Sequence, residues 1–183
     1  MKKLLHTICF LECLICCAHS NAQLPDGSTA ANFIFKDMNG KTQNLYSYLD
    51  SGKTVVIDIS ATWCGPCWNY HNTGNLENFY KQYGPEGTKQ AMVLFVEGDD
   101  VTNDPCMINA EGCIRGTRGN WLLNTPYPMM NPTGSAVQTF DVNYKVGYFP
   151  QMYMICPDKK TKKVDQFTTP MLYDAMISAC AKK

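Results

Sequence analysis

Charge is what this sequence has least of. Asp, Glu, Lys and Arg make up 17% of its 183 residues, with 16 positive side chains against 16 negative. A typical charged share is about 25%. A neutral chain has no basic footprint to displace counterions from phosphates, which argues against nucleic acid as a partner. Arginine is confined to Arg115 and Arg118, and histidine to His6, His19 and His71. There is no internal repeat, low-complexity tract or long charge block. No apolar run reaches the roughly 18–20 residues of a membrane-spanning helix, because His6 and Glu12 interrupt the N-terminal one. What is present is apolar material, 45% of the chain, and ten cysteines. That composition excludes global disorder, and the length suits one domain of about 150 residues plus an appendage.

Residues 1–22 read as that appendage, a signal peptide. Lys2 and Lys3 form a positive start, Leu4 to Ala18 an apolar stretch, and Ser20-Asn21-Ala22 a small-residue cleavage site. Acylation of Cys17 as a lipoprotein is the alternative. Cleavage after Ala22 leaves 14 positive and 15 negative charges, one histidine (His71) and six cysteines. An even cysteine count in an exported chain fits disulfides in an oxidising compartment, periplasmic or secreted.

The remainder, 23–183, reads as one domain. Asn32-Phe33-Ile34-Phe35 and Lys41 to Leu45 flank the turn Asp37-Met38-Asn39-Gly40, which predicts a small hairpin. Asn44 is a candidate cap for a short helix ending at Ser51-Gly52. TVVIDIS (54–60) and KQAMVLFVE (89–97) are near-continuous apolar runs, the mark of strands buried on both faces. Between them, residues 67–83 carry helical spacing, with Tyr70, Leu76, Phe79, Tyr80 and Tyr83 turned inward. Strand, helix, strand makes a parallel βαβ unit. The stretch that follows far exceeds the dozen or so residues a crossover needs. It is read as an insertion over 98–133, including the loop-like 125–132, and a helix near 134–142. FPQMYMI (149–155) and KKVDQF (162–167) predict an antiparallel pair. Residues 170–182 predict a final helix with Leu172, Ala175, Met176 and Ala179 inward. The class is α/β.

The chemistry lies where the first long strand ends, in Ala61-Thr62-Trp63-Cys64-Gly65-Pro66-Cys67. A thiol in the first turn of a helix faces unpaired N–H groups and the positive end of the dipole. Both favour the thiolate, so Cys64 is the expected attacking sulfur. Cys67, one turn on, can resolve a mixed disulfide on Cys64. Pro66 suits an early helical position, where its missing N–H costs nothing. A structural zinc site needs four ligands, and Cys106 and Cys113 do not form a second CxxC. A c-type haem needs His after the second cysteine, where Trp68 stands. A purely structural bridge remains the bland reading. No cofactor and no metal is expected.

These residues carry a resemblance to the thioredoxin superfamily, and the DMNGK turn narrows it to the exported TlpA/ResA-like redoxin branch. WCGPC is highly specific in this setting, and the resemblance spans roughly 28–182. It implies a thioredoxin fold: a central mixed sheet flanked by helices, with an N-terminal hairpin extension and an insertion before a strand led by a cis proline. Pro150 matches that proline. Asp58, six residues before Cys64, matches a buried acid of thioredoxins. Burial raises a carboxyl pKa and lets it take the Cys67 proton during resolution; an Asp turned out to solvent is the alternative. ResA-like proteins often carry Glu three residues after the second cysteine. Tyr70 stands there, so a relay built on that Glu is absent.

His71 reads as a solvated helix-face residue. Met129, Met130, Met152 and Met154 read as core packing rather than soft-metal ligands. Cys106, Cys113, Cys156 and Cys180 allow three pairings. The favoured one joins 106 to 113 and 156 to 180, with buried free thiols as the alternative. Trp63, Trp68, Tyr148 and Phe149 form the expected apolar rim around the sulfurs. With Gly65 and Pro66, they are the expected contacts for an extended protein substrate.

The implied function is an exported thiol–disulfide oxidoreductase, with Gly-Pro between the cysteines resembling the reducing thioredoxins. Its partners would be disulfide-containing proteins and an upstream thiol electron donor. The alternatives are a disulfide oxidase or isomerase, a redoxin-type peroxidase, and a binding module that keeps the fold. A peroxidase needs TxxC and a helper arginine. Ala61 stands three before Cys64, and both arginines fall in the insertion.

Overall fold

The computed structural model describes residues 23–180. The expected signal peptide, with the Cys17 alternative, lies outside the described residues. An antiparallel hairpin of β1 (Ile34–Lys36) and β2 (Thr42–Asn44) opens the domain, as its turn residues predict. Asp37 organises that turn, its Oδ1 accepting the N–H groups of Asn39 and Lys41 at 2.9 and 3.0 Å. Asn44 caps α1 (Leu45–Asp50) by accepting the Tyr46 N–H at 3.1 Å.

β3 (Thr54–Ser60) is buried at all seven positions. Residues 65–83, read from spacing as one helix from 67, are two: α2 (Gly65–His71) and α3 (Asn75–Tyr83). Gly74 breaks the run with φ of 69°, a left-handed conformation glycine enters without Cβ strain. β4 (Ala91–Glu97) is as buried as β3 and parallel to it, with Val56 opposite Val93 and Ser60 opposite Glu97. After α4 (Asp104–Met107), the loop-like stretch 125–132 contains a two-residue edge strand, β5 (Met129–Met130), parallel to β4. α5 (Ser135–Tyr144) leads to β6 (Gln151–Ile155), antiparallel to β3. β7 (Thr161–Val164) and α6 (Thr169–Cys180) complete the chain. The sheet order is β5-β4-β3-β6-β7. β7 stops at Val164, short of the predicted Phe167, and Ala179 is exposed rather than inward.

Alternation along β3 divides the core in two. Val55, Ile57 and Ile59 face α1, α5 and the hairpin, against Leu45, Leu49, Phe33 and Phe140. Val56 faces the opposite layer, with Tyr70, Leu76 and Phe79 of α2 and α3 and Leu172 and Met176 of α6. Both motif cysteines belong to that second layer. The four methionines singled out above are all buried in the core.

Two disulfides brace the periphery. Cys106–Cys113 closes the start of the insertion, and Cys156–Cys180 ties the end of β6 to the end of α6. The latter spans 24 residues of sequence. Closing such a loop in the unfolded chain is worth about 3–4 kcal/mol in the chain-entropy description. Replacing both Cys156 and Cys180 by Ser is therefore expected to lower the unfolding free energy by about 3 kcal/mol. Urea unfolding followed by circular dichroism reads this out, and an unchanged midpoint would contradict it.

Candidate active site

β3 delivers the chain to the motif, and Ala61 to Cys64 turn it into α2. Cys64 is the helix N-cap residue, its sulfur accepting the Cys67 N–H at 3.2 Å. Pro66 lies in the first turn, exposed to solvent. Cys64 and Cys67 are joined as a disulfide with Cα atoms 5.3 Å apart, and both side chains are nearly covered. The Phe149–Pro150 peptide bond is cis. The Trp63 ring stands edge-on to Phe149 with centroids 5.9 Å apart. Phe149 fits because residue 98 is glycine: a Cβ there would lie 2.5 Å from the Phe149 ring. Of the four expected rim aromatics, Trp63 is 36% exposed and Tyr148 49%. Trp68 is half-buried, edge-on to Trp121 at 5.0 Å and tight against Gly119.

Beneath the motif lie two buried carboxyls. Asp58 is 2% exposed and shares the Val56 side of β3 with the layer that holds both cysteines. It is not turned out to solvent. The Ser60 hydroxyl donates to its Oδ1 at 2.7 Å. Burial pushes the Asp58 carboxyl up to about 6, with the Ser60 bond pulling the other way. Glu97, at the end of β4, is fully covered. It accepts the Thr62 N–H at 2.8 Å and the Asp99 N–H at 3.0 Å, yet burial outweighs these bonds and pushes it up to about 8. Tyr70 is buried too, its hydroxyl donating to the Phe167 carbonyl at 2.7 Å.

The insertion returns to this site. The Thr62 Oγ1 donates to the Gly116 carbonyl at 3.3 Å, and the Thr62 carbonyl accepts the Arg118 N–H at 3.0 Å and the Trp121 Nε1–H at 3.2 Å. Arg118 Nε donates to the Trp63 carbonyl at 2.9 Å. The Arg115 guanidinium lies 5.7 Å over the Trp63 ring, its Nε 3.1 Å from Asp99, which also accepts the Trp63 indole N–H. Both arginines, set apart by sequence, thus flank the motif, and that half of the argument against a peroxidase does not hold. The fully buried Trp121 also recasts His71. The imidazole is not a solvated face residue: it stacks on Trp68 at 5.4 Å and lies 5.0 Å from Trp121. Burial holds its pKa below the usual histidine range.

Sequence reasoning thus missed Thr62, Glu97, Asp99, Arg115, Arg118 and Trp121. Glu97 carried a usable signal, an acid closing a fully apolar strand, the same pattern that exposed Asp58. The other five had none, since their partners lie 16 to 59 residues away in the chain.

The Asp58 geometry has a measurable sign. Its folded-state pKa stands above the unfolded value, so its penalty is absent below about pH 4 and complete above about pH 6. Asp58→Asn is expected to be more stable than the parent by about 2–3 kcal/mol at pH 8, with the gain vanishing near pH 3.5. Denaturant titrations at the two pH values test this, and a pH-independent difference would contradict it.

A family model described as Redoxin matches residues 21–166. The thiol-disulfide oxidoreductase ResA of Bacillus subtilis (strain 168) is 27% identical over 155 residues, which cover 84% of this chain and 75% of that protein. Among solved structures, the thioredoxin domain of a thiol-disulfide oxidoreductase from Bacteroides vulgatus superposes with a TM-score of 0.61 at 17% identity, covering 85% of this chain and 97% of that one. A thiol:disulfide interchange protein DsbE from Chlorobium tepidum gives 0.58 at 18%, covering 85% and 98%. Both likenesses show the thioredoxin fold. Cys64 and Cys67, the cis peptide before Pro150 and the five-stranded sheet all lie within the matched residues or on the shared fold, and the chain belongs to the Redoxin family.

Proposed function

We propose that this chain is an exported thiol–disulfide oxidoreductase that reduces disulfides in proteins. The observation that carries the reading is the Cys64–Cys67 pair, bonded at a helix start and preceded by Trp63, whose ring meets the Phe149 that precedes the cis proline, in a chain of the Redoxin family. The Cys64 thiolate attacks one sulfur of a substrate disulfide. A Cys64–substrate disulfide forms, the substrate S–S bond breaks, and the other substrate sulfur leaves as a thiolate. Cys67 then gives its proton to a base and attacks the Cys64 sulfur. The Cys64–Cys67 bond forms, the second substrate sulfur leaves, and two electrons have passed to the substrate. Asp58, buried on the same side of the sheet, is the proposed base. Trp63, Gly65, Pro66, Tyr148 and Phe149 surround the strand that a substrate would lay beside Pro150. A thiol donor upstream must reduce Cys64–Cys67 again.

Export is supported by the N-terminal sequence and by the two peripheral disulfides, Cys106–Cys113 and Cys156–Cys180. No helix among those residues is long and apolar enough to cross a membrane. A peroxidase is the second reading, favoured by the place of Arg118 beside the motif. Ala61 counts against it, since that chemistry wants Thr there.

Cys67→Ser is expected to leave Cys64 joined to its partners as mixed disulfides, recoverable from the native compartment and released by reductant. Recovery of none would contradict the oxidoreductase reading. Hydrogen peroxide turnover that survives the same substitution would establish the peroxidase instead.

A further inference from the structure

Among the described residues Arg118 takes part in no ion pair, whereas Arg115 is held by Asp99. Nor does Arg118 float. Its N–H is bonded to Thr62, the neighbouring Gly119 abuts Trp68, and Trp121 anchors this strap of the insertion, residues 116–121, in the core. The side chain crosses the turn that contains Cys64. Nε is 2.9 Å from the Trp63 carbonyl oxygen, which by peptide geometry puts it within about 6 Å of the Cys64 Cα. Nη2 is 3.7 Å from where a Gly65 Cβ would stand.

We propose that Arg118 is a positioning residue that holds an uncompensated positive charge beside Cys64, favouring its thiolate and setting the potential of the Cys64–Cys67 couple. This rests on Cys64 being the attacking thiol. The other charged and titratable groups around it do not supply that field. Asp58 of β3 and Glu97 of β4 lie beneath and, when ionised, oppose a thiolate. Asp99 is engaged by Arg115 and Trp63. His71 and Tyr70 of α2 are packed in the neutral form, and Asp165 acts on Tyr70 from beyond β7. Favouring the thiolate stabilises the dithiol state over the disulfide, so Arg118 makes the couple more oxidising than it would otherwise be. The guanidinium is exposed, so the effect is modest and screened by salt.

The test compares the parent protein with Arg118→Gln and Arg118→Lys. The rate of Cys64 alkylation by iodoacetamide against pH, read by peptide mass, reports its thiolate fraction. Gln is expected to lower that fraction about three- to tenfold at pH 6, and Lys to restore most of it. Equilibration with glutathione should shift by the same factor toward the disulfide, about 15–30 mV for a two-electron couple. In the parent alone, 1 M salt shortens the screening length to about 3 Å and should move the alkylation profile toward that of the Gln variant. Equal profiles for parent and Gln, a Lys variant as impaired as Gln, or a parent indifferent to salt would each overturn the proposal. Failure of the Cys67→Ser trap would defeat the oxidoreductase reading and leave this thiolate titration standing, so the two are separable.

Discussion

The site depends on the saturation of one buried residue, Thr62. A covered N–H or carbonyl without a partner costs about as much as a lost hydrogen bond. Thr62 is fully covered, and each of its polar groups is engaged: the N–H by Glu97, the carbonyl by Arg118 and Trp121, the hydroxyl by Gly116. Those partners come from the end of β4 and from the far part of the insertion. Trp63 and Cys64 follow directly, so the position of the sulfur is fixed by a residue that does no chemistry itself. Detaching the strap would strand the Thr62 carbonyl and uncover Trp121 together.

The same layer contains what the core tolerates least. Asp58 and Glu97 sit among apolar side chains, and burial pushes both carboxyls upward despite the hydrogen bonds they accept. The two differ in what they accept from. Glu97 receives two main-chain N–H groups and so acts as scaffold for the loop. Asp58 receives one side-chain hydroxyl, that of Ser60, among the described residues. A buried carboxyl with spare acceptor capacity is costly, and its retention in a fully buried strand opposes stability increasingly above about pH 4 and fully above about pH 6.

Local rules made much of this legible. The buried runs read at 54–60 and 89–97, the Asn44 cap and the CGPC helix start are properties of a few adjacent residues, the place of Pro150 rests on the family resemblance, and both peripheral disulfides follow the favoured pairing. What escaped was non-local. His71 reads as a surface residue until Trp121, 50 positions on, is folded over it. The arginines look remote until the insertion returns. Met129 and Met130 form an edge strand only because β4 offers them an open ladder. The break at Gly74 is the exception, a local signal that the continuous helical spacing around it obscured.

The central claim is that Cys64 and Cys67 form a working two-electron couple poised to donate. The reduction potential of the purified protein in a glutathione or dithiothreitol buffer, read from Trp63-region fluorescence and alkylation mass, tests it most directly. The account predicts one reversible two-electron transition at Cys64–Cys67, near the roughly −270 mV of thioredoxin. A value near the roughly −120 mV of a strong oxidant such as DsbA would reverse the direction of electron flow, and no reversible transition at all would contradict the claim outright.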